Sequence, residues 1–179
     1  MENNEEMNIP KLEQLLTTEE IHKSNNISKV TDKIYLGDEE GATKFDFLKE
    51  ENIHNILSIV PNPPQYPEDM KMNIMHLNIE DGLSINIIKY IKSSIEFIDK
   101  ADKIFIYCNC GICRGPAIAI GYLMWKAHAS YNEVFDYVKK RRDCIELNNF
   151  FIIQLNKFHK ALEKNNYNLQ KVEVKTKAK

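Results

Sequence analysis

Between Ile104 and Met124 the chain reads IFIYCNCGICRGPAIAIGYLM, with three cysteines in six residues, Cys108, Cys110 and Cys113, followed at once by Arg114. Thiols this dense can ligate a metal, pair as disulfides, or supply a nucleophilic thiolate. A structural zinc site takes four ligands, and neither Cys144 nor a histidine falls in a second paired knuckle. A strand-end cysteine can also be a small core residue. That suits Cys110 or Cys113 better than Cys108, because it gives no purpose to the spacing of Gly111 and Arg114. The spacing acquires one if the apolar run before Cys108 is a strand and the residues after Cys113 start a helix. A helix N-terminus presents unpaired N–H groups and a positive dipole end, which together bind anions. A glycine inside the loop lets successive N–H groups turn around one anion. An arginine opening the helix can close a bidentate fork on a phosphate. The same field favours the thiolate of Cys108. The expected constellation is a thiolate beneath a phosphate cradle made by Asn109, Cys110, Gly111, Ile112, Cys113 and Arg114.

Such a loop needs a strand and a helix to hold it, and the chain supplies several of each. KIYLG (33–37), HNILSIV (54–60, stopped by PNPP at 61–64), NIMHLNI (73–79) and KIFIY (103–107) read as strands. The last is nearly all apolar, as a central strand covered on both faces would be. EEGATKFDFLKEE (39–51) reads as a helix. SINIIKYIKSSIEFIDKA (84–101) places Ile87, Ile88, Ile91, Ile95 and Ile98 on one stripe, with Ser84 as its candidate cap. Further helices are expected at about 114–127, 130–142 and 148–165, and a short one within 11–23. Strands alternating with helices predict an α/β domain: a largely parallel sheet of four to five strands flanked by helices. We expect one domain over 27–165, a polar extension over 1–26, and a basic tail over 166–179 that is disordered from Lys171.

Composition narrows the function classes. Hydrophobic residues make up 43% and charged residues 28%, and the net charge is −2. No global basic field argues for nucleic acid or an anionic membrane, and no apolar run is long enough to span a bilayer. The acidic, polar start is unlike a secretory signal. The expectation is a reducing, cytoplasmic setting, with the nucleus also open, in which the four cysteines are thiols.

Cys-x-x-Gly-x-x-Arg between an apolar strand and a helix resembles the signature loop of the cysteine-dependent protein tyrosine phosphatases. The flanks are similar to the dual-specificity branch: IYLGDEEGA at Ile34 to Ala42, FID at Phe97 to Asp99, and AIGYLM at Ala119 to Met124. A Pro-Asn…Phe…Gln-Leu segment is matched by Asn148, Phe151, Gln154 and Leu155, with Leu147 in the proline position. The likeness covers roughly 28–163. It implies a protein phosphatase with a cysteinyl-phosphate intermediate, Cys108 as nucleophile, Arg114 as phosphate ligand and no metal or other cofactor. Its partners would be phosphorylated proteins, and a monomer is expected. Family spacing counted back from FID puts the general acid at Asp81, in NIEDGLSIN (78–86), with Glu80 in reserve and Asn86 at the family's Asn.

The sequence departs from the family at three places. Tyr107 replaces the histidine before the nucleophile, so the thiolate is expected to be less stabilised than is usual. Gly115 replaces the serine or threonine after the arginine, whose hydroxyl helps the thiolate depart. Cys113 replaces the preceding serine. Together they predict slow turnover, or a pseudophosphatase that binds without hydrolysing. Cys110 or Cys113 could pair with Cys108 on oxidation, or simply pack under the loop. The run KKRRD (139–143) reads either as a solvated helix end or as a subsite for a second phosphate. No long N-terminal extension deepens the pocket, which implies access for phosphoserine and phosphothreonine as well as phosphotyrosine. The loop holds no Lys, which disfavours polyphosphoinositides.

Overall fold

The computed structural model describes residues 12–15, 26–79 and 85–173. Its elements run β1 (Ile27–Lys29), β2 (Ile34–Gly37), α1 (Phe45–Glu50), β3 (Asn55–Ile59), β4 (Asn73–His76), α2 (Ile87–Lys100), β5 (Ile104–Cys108), α3 (Arg114–Ala127), α4 (Tyr131–Arg141) and α5 (Asn149–Lys164). The sheet order is β1-β2-β5-β3-β4. All neighbours are parallel except β1, which runs antiparallel to β2 along one edge. The α/β class and the largely parallel sheet are those read from the sequence.

β5 lies at the centre and every residue in it is buried, which explains its unbroken apolar run. Alternation along it divides the core. Ile104, Ile106 and Cys108 join the face covered by α2 to α5. Phe105 and Tyr107 join the opposite face, with Leu48 of α1, Ile53 and Met70. Cys108 thus ends its strand facing the helix that follows it.

The helices form for local reasons. The isoleucine stripe of α2 is buried throughout. Its cap is Asn86, whose Oδ1 accepts from the Lys89 N–H; the predicted cap, Ser84, lies outside the described residues. Ser130 and Glu133 form a capping box at the head of α4. Asn148 caps α5 by accepting from the Phe151 N–H at 2.8 Å. α3 is the innermost helix, buried on nearly all sides.

Three expectations are corrected, and one strand had not been expected. The helix over 39–51 is two pieces, a 3₁₀ turn at Gly41–Thr43 and α1, because Lys44 (φ −80°, ψ 66°) leaves the helical region between them. The strand expected over 73–79 stops at His76. β1 was not anticipated; three residues carry too little alternation to announce a strand. The tail expected to be loose from Lys171 is still packed there. A turn at Leu169–Lys171 leads to Val172, which is fully buried. The Tyr167 carbonyl accepts from the Trp125 indole (3.1 Å) and the Val172 carbonyl from Lys92 Nζ (2.6 Å). Of the helix expected within 11–23, only Leu12–Leu15 is described, as a 3₁₀ turn whose Leu12 packs on the main core.

Candidate active site

β5 ends at Cys108, α3 begins at Arg114, and the five residues between them form a loop at the C-terminal end of the central strand. That is where open parallel sheets place their ligands. Its conformation depends on Gly111, which has φ +63°. A Cβ there would stand 2.5 Å from the Gly37 carbonyl oxygen and 2.5 Å from Arg142 Nη2. No other residue fits that position.

Four carbonyls of the loop are tied down by hydrogen bonds. The Asn109 carbonyl accepts from the Glu39 N–H (3.2 Å), that of Ile112 from the Glu146 N–H (3.0 Å) and that of Cys113 from the Ala117 N–H (3.0 Å). The Gly111 carbonyl accepts from Arg142 Nε at 2.8 Å. Among the described residues there is no cis peptide. In a planar trans peptide the N–H points opposite to the C=O. The N–H groups of Cys110, Ile112, Cys113 and Arg114 therefore point opposite to those bonded carbonyls. A loop of this shape suits one anion.

Cys108 is buried, and Arg114 is 6% exposed. Arg114 Nη1 donates to the Ile79 carbonyl (2.9 Å) and Nη2 to Asn109 Oδ1 (2.8 Å). The structure thus places Cys108 at the end of β5, Asn109, Cys110, Gly111, Ile112 and Cys113 in the loop, and Arg114 at the head of α3. Asp81 and its reserve Glu80 lie outside the described residues. On either side of them, the Ile79 carbonyl accepts from Arg114, and Gln154 of α5 donates Nε2 to the Ile85 carbonyl (2.8 Å) and accepts the Ile87 N–H on Oε1 (2.9 Å).

The three departures from the family pattern have definite surroundings. Tyr107 points to the face opposite Cys108, stacked on Phe105 with ring centroids 5.4 Å apart. Its hydroxyl accepts from Ser58 Oγ at 3.0 Å. Burial pushes its titration up, against the hydrogen bond from Ser58. The Tyr66 hydroxyl makes no well-formed hydrogen bond, but it lies close enough to Tyr107 that burial, reinforced by this neighbour, raises its titration as well. A Cβ built on Gly115 would lie 3.7 Å from Cys108 Sγ in ordinary contact, so the missing side chain has room. Cys113 precedes α3, and its Sγ accepts from Asn148 Nδ2 at 3.6 Å. All four cysteines are thiols, with Cys110 and Cys144 exposed.

In the KKRRD run, Lys139, Lys140 and Arg141 lie in the last turn of α4, where cations complement the helix dipole. Lys139 Nζ donates to the Ile145 carbonyl and Arg141 Nη1 to the Tyr137 carbonyl. The Arg141 guanidinium also lies 3.6 Å from the Tyr137 ring centroid. Arg142 is 3% exposed and links Gly111 to Ser28 Oγ of β1. It is a brace behind the loop that holds Gly111. Sequence reasoning missed it because nothing in four consecutive cations distinguishes the one that turns inward. Among the described residues, no group of three or more His, Cys, Asp or Glu side chains is arranged to hold a metal ion.

Residues 34–161 match the family model described as dual specificity phosphatase, catalytic domain. The chain belongs to the dual specificity phosphatase family. It is 36% identical over 138 residues to MAP kinase phosphatase with leucine-rich repeats protein 1 of Dictyostelium discoideum, covering 75% of this chain and 16% of that protein. It is 30% identical over 139 residues to human dual specificity protein phosphatase 9, covering 75% of this chain and 36% of that one. The chain therefore spans about a sixth to a third of the length of these relatives. Among solved structures it resembles the human tyrosine phosphatase-like serine/threonine/tyrosine-interacting protein. That likeness has a TM-score of 0.71 at 27% identity, over 76% of this chain and 97% of that one.

Proposed function

We propose that this dual specificity phosphatase domain hydrolyses phosphotyrosine and phosphoserine or phosphothreonine in proteins, through a cysteinyl-phosphate, and turns over slowly. The observation that carries the proposal is the loop itself. Four of its carbonyls are pinned, Cys108 stands at its root, and Arg114 closes its far side.

In the first step Cys108 Sγ attacks phosphorus, the S–P bond forms and the P–O bond to the leaving alcohol or phenol breaks. The N–H groups of the loop and the Arg114 guanidinium hold the three equatorial oxygens as charge spreads over them. Asp81 gives its proton to the leaving oxygen. In the second step Asp81 takes a proton from water, whose oxygen attacks phosphorus. The S–P bond breaks, phosphate leaves and the thiolate is regenerated. That departure is where the chain is weakest, because Gly115 offers no hydroxyl to the sulfur.

Gly115 and Tyr107 also favour a second reading, in which the domain holds a phosphorylated partner without turnover. Pre-steady-state release from an aryl phosphate separates the two. We expect a burst followed by slow turnover, with no burst for Cys108→Ser and a slower one for Asp81→Asn. No release at all, with phosphopeptide binding retained, makes the domain a binding module. A burst that survives Cys108→Ser rules out the cysteinyl intermediate.

A further inference from the structure

Arg114 carries five N–H donors and no acceptor, and at least two of its donors have partners within the fold. One partner, the Ile79 carbonyl, comes from outside the loop. The other is the side chain of Asn109, one residue after the nucleophile, with Oδ1 at 2.8 Å from Nη2. Because the guanidinium only donates, the amide oxygen must be the atom that faces it. Asn109 is itself fixed through its main chain, where its carbonyl accepts from the Glu39 N–H. With Arg114 nearly buried, these charge-assisted bonds are stronger than the same bonds made in water. Two acceptors on different nitrogens set the plane of the guanidinium, and a rotamer-rich side chain fixed in advance loses less freedom when its ligand arrives.

Resting on the reading of Arg114 as the phosphate ligand, we propose that the Asn109 side chain is a positioning residue. It holds Arg114 in the orientation that receives a tetrahedral oxyanion. This role is distinct from the cradle, which uses only backbone N–H groups. Neutrality is part of the design. Aspartate at 109 would keep the acceptor and the volume, but it would set a negative charge against the guanidinium and beside the incoming anion.

The test uses the full chain and tungstate as the oxyanion, with affinity read by calorimetry and stability by thermal unfolding. Asn109→Ala should weaken tungstate binding about tenfold, as expected for losing a hydrogen bond to a charged group. Its Tm should stay within a few degrees of the native one. In an Arg114→Lys background the same change should alter affinity less than twofold, because the fork it orients is gone. Asn109→Asp, which is nearly isosteric, should lose more affinity than Asn109→Ala. Native-like binding by either variant overturns the proposal, and so does an equal loss in the native and Arg114→Lys backgrounds. A native chain that binds no tungstate overturns the phosphate-site reading as well, which separates that failure from failure of the Asn109 role alone.

Discussion

Glu39, Arg142 and Glu146 grip the loop from outside, whereas Tyr107, Cys113 and Gly115 sit at its root and beneath its arginine. The outer group acts on backbone carbonyls, two of its three members through their own backbone N–H. Many side chains satisfy that requirement, and the cradle's geometry is intact. The inner group differs in its side chains: at each of its positions the family's usual side chain is absent. A loop of this kind keeps its shape under substitutions that weaken its chemistry. On the proposed function, anion binding should depend on the loop's backbone and turnover on the side chains around it, so that the two can be separated by substitution.

The largest expected effect comes from attacking the outer grip at its tightest point. Gly111→Ala forces a side chain into a left-handed backbone and against the Gly37 carbonyl and Arg142. It should abolish both oxyanion binding and hydrolysis and lower stability by at least about 2 kcal/mol, read by denaturant unfolding. Next is Arg142→Leu, which strips buried partners from the Gly111 carbonyl and Ser28 Oγ. A loss of about 2 kcal/mol is expected, with weakened binding of an aryl phosphate. Unchanged binding would mean that the loop stands without its brace.

Gly115→Ser tests the inner group in the opposite direction. Its Cβ fits, with Cys108 Sγ 3.7 Å away. Steady-state turnover should rise by up to about tenfold while the burst rate and phosphate affinity stay as they are. A rise in affinity without a rise in turnover would break the division between the two groups.

The smallest effect belongs to a control remote from both. Asp99 lies by the far end of α3, accepting from Tyr122 (3.0 Å) and Lys126 (2.8 Å). Burial works against its charge, but these hydrogen bonds prevail and hold its carboxyl below the usual range. A depressed native value stabilises the fold at pH above the unfolded carboxylate range, near 4, and that stability is lost as pH falls through the native value. Asp99→Asn should therefore destabilise by less than about 1 kcal/mol at neutral pH, flatten the acid limb of a Tm-versus-pH curve, and leave phosphate affinity unchanged.

The sequence disclosed most clearly what is periodic or punctuated. β5, the loop and α3 were readable because an apolar run, a glycine and an arginine stand in a fixed order with one physical use. The stripe of α2 was readable because five isoleucines share a face. β1 was not, since three residues become a strand only by pairing with β2. Nor was the break at Lys44, where a 3₁₀ turn started by Asp38, whose Oδ1 accepts the Gly41 N–H at 2.8 Å, gives way to α1. Arg142 and Asn109 share a different difficulty. Their roles depend on which way a side chain turns, and that is settled by partners more than thirty residues away in one case and by a single arginine in the other.

The burial of Val172 bears on how this protein can be cut. The last long helix ends at Lys164, yet the main core is completed by a valine well beyond it. A fragment ending at 165 would take the acceptor from the Trp125 indole, the ring from beside His128, and the carbonyl from Lys92. It would also open an apolar socket to water. Such a fragment should melt earlier and aggregate more readily than one ending after Val172, with no residue of the phosphate loop altered.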